Sequence, residues 1–166
     1  MGYKNVALIT LATAETQIHD RINGYNMALK EKKLKSYIKK VIPAQDEKQI
    51  IESLITFFEK SDIINAVLFG SAKLCKIGLK VINQLGLIIP HDIAVITFDD
   101  CQFFEFYCPS ITAIAQPVAA IADNIFNLLL PIPKCGKDTV MQKITLSAHL
   151  NIRESSKSLI PVQLYI

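Results

Sequence analysis

Two adjacent carboxylates, Asp99 and Asp100, directly follow a mostly apolar run at residues 93–98. Such runs are typical of strands in a parallel sheet with both faces covered, and ligands bind beyond the carboxyl ends of these strands. The pair therefore marks a candidate acid–base or magnesium site. Alternatively, the two aspartates accept backbone hydrogen bonds in a turn. Neighbouring strand residues point to opposite faces, so the carboxylates converge on one atom only if the chain turns between them.

Other chemistries lack their motifs. The sequence contains no GxSxG, GxxxxGK[ST] or GxGxxG pattern, which are the signatures of serine hydrolases, phosphate loops and dinucleotide sites. The three histidines and four cysteines do not show the spacing of metal ligands, so we predict no metal, no cofactor and no catalytic residue. Reduced cysteines are typical of a cytosolic protein. An enzyme that uses Asp99 or Asp100 remains an alternative.

The composition indicates one globular domain over residues 1–166. The chain is 51% hydrophobic and 20% charged, which argues against disorder. A net charge of +3 is too small to indicate nucleic-acid binding by itself. The sequence has no apolar run near the roughly 20 residues of a membrane span, and its first residues do not resemble a secretory signal, so no membrane partner is predicted.

The pattern of the central segment, residues 66–100, predicts a strand, a helix and a second strand. The helix has one apolar stripe, and Gly86 stands where a helix ends. Further strands are predicted at 5–11, 36–44, 111–116 and 143–153, and further helices at 21–35, at 47–60 and from Pro117. A polar turn (12–20), an aromatic loop (101–110) and a loose tail from Glu154 connect or follow them. This alternation predicts an α/β fold with a mainly parallel sheet flanked by helices, in which 36–44 and 143–153 are edge strands.

Three motifs then identify a family resemblance. They are Arg21 with Gly24, Tyr25, Ala28 and Leu29, the block LGLIIPHDIAVITFDD at 85–100, and PSITAIAQ at 109–116. In order and spacing they resemble the effector-binding core of bacterial repressors of the lactose/galactose-repressor (LacI–GalR) family.

The resemblance implies a periplasmic-binding-protein-like fold with two lobes and a ligand cleft between them. It also implies that this chain corresponds to the second lobe, and that DNA is bound only through a helix-turn-helix domain that the chain lacks. Residues 116–130 match a helix that crosses toward the first lobe, and we predict that here this helix is mobile or covered by a second copy of the chain. The implied function is that of a cytoplasmic transcriptional regulator, with a solute-binding lobe of the same fold as the alternative.

The resemblance also assigns residues to an effector site. Arg21, Asp99 and Gln116 match family positions that bind the effector, a sugar or related metabolite. Ser71 and Ala72 stand where the family has Asn-Asp, so Ser71 is the remaining polar candidate there. The family's aromatic platform has no counterpart at 43–46.

The family dimerises through the helix at 74–85 and the aromatic loop. We therefore predict a homodimer whose interface contains residues from both segments, namely Leu74, Ile77, Phe103, Phe106 and Tyr107.

Overall fold

The structure is a computed structural model that describes residues 2–61, 63–130 and 143–157. Its strands are β1 (Val6–Leu11), β2 (Tyr37–Val41), β3 (Ala66–Phe69), β4 (Ala94–Phe98), β5 (Thr112–Ala115) and β6 (His149–Asn151). Its helices are α1 (Thr16–Glu31), α2 (Glu47–Glu59), α3 (Ala72–Gln84), α4 (Gln102–Phe106) and α5 (Val118–Leu129). A single 3-10 turn, Glu154–Ser156, follows β6.

The six strands form one sheet in the order β2-β1-β3-β4-β5-β6. Strands β1 to β5 pair in parallel, and β6 pairs antiparallel with β5. The predicted α/β class with a mainly parallel sheet is confirmed. The second and last predicted strands also lie at the sheet edges, which explains why their sequences are less apolar than those of β1, β3 and β4.

Helices pack on both faces of the sheet. Ile9 and Phe69 point to one face, where α2, α3 and Phe104 of α4 bury them in the main core. Leu8 points to the opposite face, where Tyr25 and Leu29 of α1 form a smaller core. Alternate strand residues face opposite sides, so the apolar runs of β1 and β3 supply both cores.

The α1 side is only partly covered. Next to α1 lies an apolar groove of about 720 Å³, whose floor includes Leu68, Ile96, Phe98, Ile114 and Leu150. Helix α5 begins at Val118, one residue later than predicted, with Pro117 as its N-cap, and none of its residues is buried. Its position as a crossover helix toward another lobe stays a prediction.

Helix α3 shows how the central segment forms its helix. The Ser71 hydroxyl accepts a hydrogen bond from the Leu74 N–H at 3.4 Å and caps the first turn. At the other end, Gly86 has a φ of +68°, and the Leu87 N–H donates to the Ile82 carbonyl at 3.1 Å. This is the glycine-terminated helix end that the sequence predicts.

The structure differs from the predicted elements at four places. Helix α1 begins at Thr16 rather than at residue 21, because Ile18 is buried and extends the apolar face by a turn. The aromatic segment contains α4 rather than only a loop. Residues 143–148 form no strand, so the last strand is only His149–Asn151. The prediction of a loose tail is wrong at Ser155 and Ser156, which are buried, and residues 158–166 lie outside the described part of the chain.

Candidate functional site

Four of the predicted site residues lie around the carboxyl ends of neighbouring parallel strands. Ser71 follows β3, Asp99 follows β4 and Gln116 follows β5, while Arg21 reaches the same edge from α1. Arg21 and Gln116 both contact Asp99, which joins the three side chains into one cluster. This is the location at which open parallel sheets bind ligands.

The Arg21 guanidinium is held by three groups. Its Nη1 donates to the carbonyl of Gly70, and its Nη2 lies 3.5 Å from Asp99 Oδ1. Its central carbon lies 4.6 Å from the centre of the Phe98 ring, which is cation–π distance. A flexible arginine side chain is thereby fixed in one direction before any ligand binds.

Asp99 has an unusual backbone. Its φ is +66°, in the left-handed region that residues other than glycine rarely adopt. Its N–H donates to the Ile114 carbonyl at 3.0 Å, and its Oδ1 accepts a hydrogen bond from Gln116 Nε2. Oδ1 therefore interacts with both Gln116 and Arg21, while no described residue donates a hydrogen bond to Oδ2. The second oxygen of a partly exposed carboxylate is thus available as an acceptor.

Ser71 is not bonded to this cluster. It lies on the same edge of the sheet, but its hydroxyl oxygen accepts the Leu74 N–H as a helix cap. A hydroxyl has two lone pairs and one proton, so it can still bond a ligand. Its part in a binding site stays a prediction.

Asp100 belongs to a separate network. Arg153 binds both of its carboxylate oxygens, at 2.8 and 2.9 Å, and Asn151 Nδ2 donates to one of them at 2.7 Å. Burial alone would raise the pKa of Asp100, but the bonds from Arg153 and Asn151 outweigh it and hold the pKa below its usual range. The two adjacent carboxylates therefore point to different partners, so the structure offers no convergent acid–base or magnesium pair at Asp99 and Asp100.

Comparison with known proteins fits this architecture. Residues 1–156 match the family described as the periplasmic binding protein-like domain. The chain belongs to this family. Among its relatives is a probable opine utilization operon repressor from Rhizobium rhizogenes, 27% identical over 95% of the chain and 83% of the relative. The HTH-type transcriptional repressor PurR of Haemophilus influenzae is 25% identical over 96% of the chain and 48% of the relative.

Two solved structures that share this fold are named as transcriptional regulators. The regulator CelR in complex with cellobiose superposes with a TM-score of 0.78 at 22% identity, over 93% of this chain and 47% of that one. The lac repressor dimer bound to operator and an anti-inducer gives 0.79 at 18% identity, over 95% of this chain and 54% of that one. The chain spans about half the length of most of these proteins. The predicted LacI–GalR resemblance is confirmed, as is the periplasmic-binding-protein-like fold.

The family residues predicted for the dimer interface fall into two groups. Leu74 and Ile77 are only 1% and 4% exposed, because they pack inside the protomer. Phe106 is 74% exposed, and Phe103 and Tyr107 line a groove of about 550 Å³ between α3 and α4. Phe103, Phe106 and Tyr107 can contact a partner directly. Ile77 also lines the groove, whereas the buried Leu74 only supports that surface from below.

Within the described ranges, no three histidine, cysteine, aspartate or glutamate side chains cluster closely enough to hold a metal ion. Cys75, Cys101 and Cys108 are unpaired, and Cys135 lies outside the described residues. The same part of the chain contains no helix with the length and apolarity that a membrane crossing requires.

Sequence reasoning missed three parts of the site. Phe98 lies under the Arg21 guanidinium, and the Gly70 carbonyl accepts a hydrogen bond from it. Neither role has a sequence signal, since one is a strand aromatic and the other is backbone. Arg153 had a weak signal: it is the only arginine besides Arg21 among 18 basic residues. Arginine rather than lysine is the residue that binds a carboxylate through two parallel bonds.

Proposed function

We propose that this chain is the effector-binding module of a LacI–GalR-type transcriptional regulator of the cytoplasm, and that it binds a hydroxyl-rich small molecule at Arg21, Asp99 and Gln116. The observation that carries the proposal is the convergence of these three side chains at the carboxyl ends of β4 and β5. Operator binding would belong to a DNA-binding domain outside this chain. Effector binding would modulate that domain by favouring one arrangement of the longer protein.

The chemistry of the cluster suits polyhydroxylated ligands. Asp99 Oδ2 can accept a hydrogen bond from a hydroxyl group, and the Arg21 guanidinium carries donors that can bind hydroxyl or carboxylate oxygens. Gln116 supplies both a donor and an acceptor, and Ser71 adds a hydroxyl on the same edge. Relatives or neighbours named for cellobiose and for opines indicate two classes to test, neutral sugars and carboxylated amino-acid derivatives.

The binding test is a titration followed by chemical shifts of backbone amides, with cellobiose and an opine as separate probes. We expect saturable shifts at residues next to Asp99 and Gln116. Arg21→Ala and Asp99→Asn should abolish them, because each removes a charged hydrogen-bonding group worth about 1.5–3 kcal/mol. Lys80→Met, an exposed change away from the site, is the matched control. If Arg21→Ala and Asp99→Asn bind a probe as tightly as the unmodified chain, the proposed site is wrong.

We also propose that the regulator is a homodimer that uses the exposed aromatic residues of α4. Phe103 and Phe106 are both exposed and lie one turn apart on α4, and adjoining exposed apolar side chains mark interaction surfaces. Phe106→Asp should convert the dimer to a monomer in sedimentation velocity, whereas Met27→Asp, at an equally exposed position on α1, should not. A dimer that survives Phe106→Asp would place the interface elsewhere.

Helix α5 is a second surface that needs a partner. Val118, Phe126 and Leu129 are all exposed, so we propose that this helix packs on the first lobe of the longer protein, or on another copy of the chain when that lobe is absent. Leu129→Asp distinguishes this interface from that of α4. We expect it to lower the order of any higher assembly while leaving the Phe106-dependent dimer intact. A strict monomer with slow hydrogen exchange throughout α5 would contradict this proposal.

A further inference from the structure

Three side chains form a compact network immediately after the candidate effector carboxylate. Arg153 Nη1 donates to Asp100 Oδ1 at 2.9 Å, and Arg153 Nη2 donates to Asp100 Oδ2 at 2.8 Å. Asn151 Nδ2 donates to Oδ2 at 2.7 Å. We call Asp100, Asn151 and Arg153 the clasp. Two parallel charge-assisted bonds fix direction as well as distance, so the clasp defines where Asp100 lies.

The Arg153 end of the clasp is anchored to the sheet. Its Nη1 also donates to the Ile111 carbonyl at 2.7 Å, and its backbone N–H donates to Thr112 Oγ1 at 2.8 Å. Just beyond it, the Ser155 hydroxyl donates to the Val95 carbonyl at 2.6 Å and accepts the Thr112 N–H at 2.8 Å. Arg153 therefore cannot follow Asp100 if that residue moves, and the clasp acts as a fixed point.

The residue held next to this point is Asp99. Its left-handed φ of +66° is less favourable than the right-handed region even for aspartate, which tolerates it better than most residues, so contacts on either side of it stabilise this conformation. On one side, its N–H is bonded to the Ile114 carbonyl. On the other side, the next residue is the clasped Asp100. This backbone conformation directs the Asp99 carboxylate toward Arg21 and Gln116, while Asp100 points away from them.

We propose that the clasp holds Asp99 in its left-handed conformation and so positions the carboxylate of the effector site. Asp100, Asn151 and Arg153 are positioning residues that do not themselves contact the effector. The value of this arrangement for effector binding rests on the proposed function, but the arrangement itself can be tested without a ligand. Because Asn151 and Arg153 lie in and just after β6, which follows α5 in the chain, displacement of β6 would alter the site.

The test uses the fact that Arg21 and Arg153 are the only arginines in the sequence. A sample with ¹⁵N-labelled arginine gives two side-chain Nε–H signals, and Arg153→Lys leaves only that of Arg21. In the unmodified chain, Arg21 is held by Gly70 and Asp99, so its guanidinium should rotate slowly. We expect Arg153→Lys and Asp100→Asn to shift this signal and to speed the rotation about fivefold, the change that corresponds to about 1 kcal/mol of left-handed backbone energy.

A positive and a negative control accompany this measurement. Asp99→Asn should change the Arg21 signal directly, which calibrates the readout. Glu47→Gln, which removes an exposed ion pair with Lys80 far from the site, should leave the signal unchanged. An unchanged Arg21 signal in folded Asp100→Asn and Arg153→Lys would overturn the proposal, because a clasp that only stabilises the fold would lower the unfolding temperature without affecting Arg21.

Asn151→Ala covers the case in which the charge variants do not fold. It deletes one of the bonds to Asp100 and leaves the ion pair, so a smaller shift of the Arg21 signal in the same direction is expected, and no shift overturns the proposal. The experiment also separates the two proposals. If the clasp variants release Arg21 but cellobiose and the opine bind to none of the proteins, the clasp stands and the proposed effector site fails.

Discussion

Two glycines in helix interiors should respond to alanine in opposite directions. Gly78, in α3, faces β3, and a Cβ atom at this position would overlap the ring of Phe69. Gly24, in α1, has open space where its Cβ would lie. Gly78→Ala should therefore lower the free energy of unfolding, and Gly24→Ala should raise it.

The magnitude follows from two opposing contributions. Alanine in a helix interior is favoured over glycine by about 1 kcal/mol, and at Gly24 nothing opposes this gain. At Gly78 the added methyl group meets a fully buried ring between the sheet and α3, which cannot move out without displacing its neighbours. Overpacking of this kind costs about 1–3 kcal/mol. We expect the loss to exceed the gain by up to about 2 kcal/mol.

Urea denaturation followed by circular dichroism measures both changes. The Gly78→Ala midpoint should fall with an unchanged denaturant slope, and the Gly24→Ala midpoint should rise. Adding Phe69→Leu to Gly78→Ala should recover part of the loss, because the smaller side chain gives the methyl group room. A Gly78→Ala protein as stable as the unmodified one would refute the close packing of α3 on β3.

Two further predictions follow from pKa shifts. Burial raises the pKa of the Cys75 thiol to about 12. Only about 1 in 10,000 molecules therefore carries the Cys75 thiolate at pH 8. Peptide mass spectrometry after brief alkylation should find the exposed Cys108 modified well before Cys75. The pKa of Asp100 lies below its ordinary value of 3.8 in the folded chain, so the stability it contributes is present above that value and is lost as the pH falls through the lower native pKa. Urea midpoints measured across the acid range should therefore fall less steeply for Asp100→Asn than for the unmodified chain, and equal slopes would count against the Arg153 pair.

The sequence predicts the sheet well because its central strands are buried on both faces and therefore need apolar side chains on both. Residues 66–69 and 94–98 are apolar on both sides, and only a buried parallel strand accommodates this. Gly86 and Ser71 delimit the intervening helix by backbone and capping rules that act locally. Local preferences of this kind do not depend on distant contacts, so the sequence alone reveals them.

The elements that were wrongly predicted depend on partners distant in sequence. Ser155 and Ser156 look like tail residues, but their hydroxyls bond groups of β4 and β5 that are some 40 to 60 positions earlier. The alternation of 143–153 predicts a long strand, yet β5 offers only Thr112–Ala115 for pairing, so β6 is short. The site shows the same limit. Arg21, Asp99 and Gln116 could be identified by resemblance, but the left-handed backbone of Asp99 and the role of Arg153 could not be predicted from residue types.

The arrangement of the site also sets a limit on how tightly this chain alone can bind. Arg21 and Gln116 already contact Asp99 Oδ1, so Oδ2 is the acceptor left for an effector. At each exposed polar group of the site, the effector has to displace water. The hydrogen bonds to the charged Arg21 and Asp99 contribute about 1.5–3 kcal/mol each. The two together amount to about 3–6 kcal/mol, a dissociation constant on the order of 1 mM. We therefore expect millimolar affinity in the chemical-shift titration. Micromolar binding by the isolated chain would require a second set of contacts. If another copy of the chain supplies them, the affinity should rise with protein concentration.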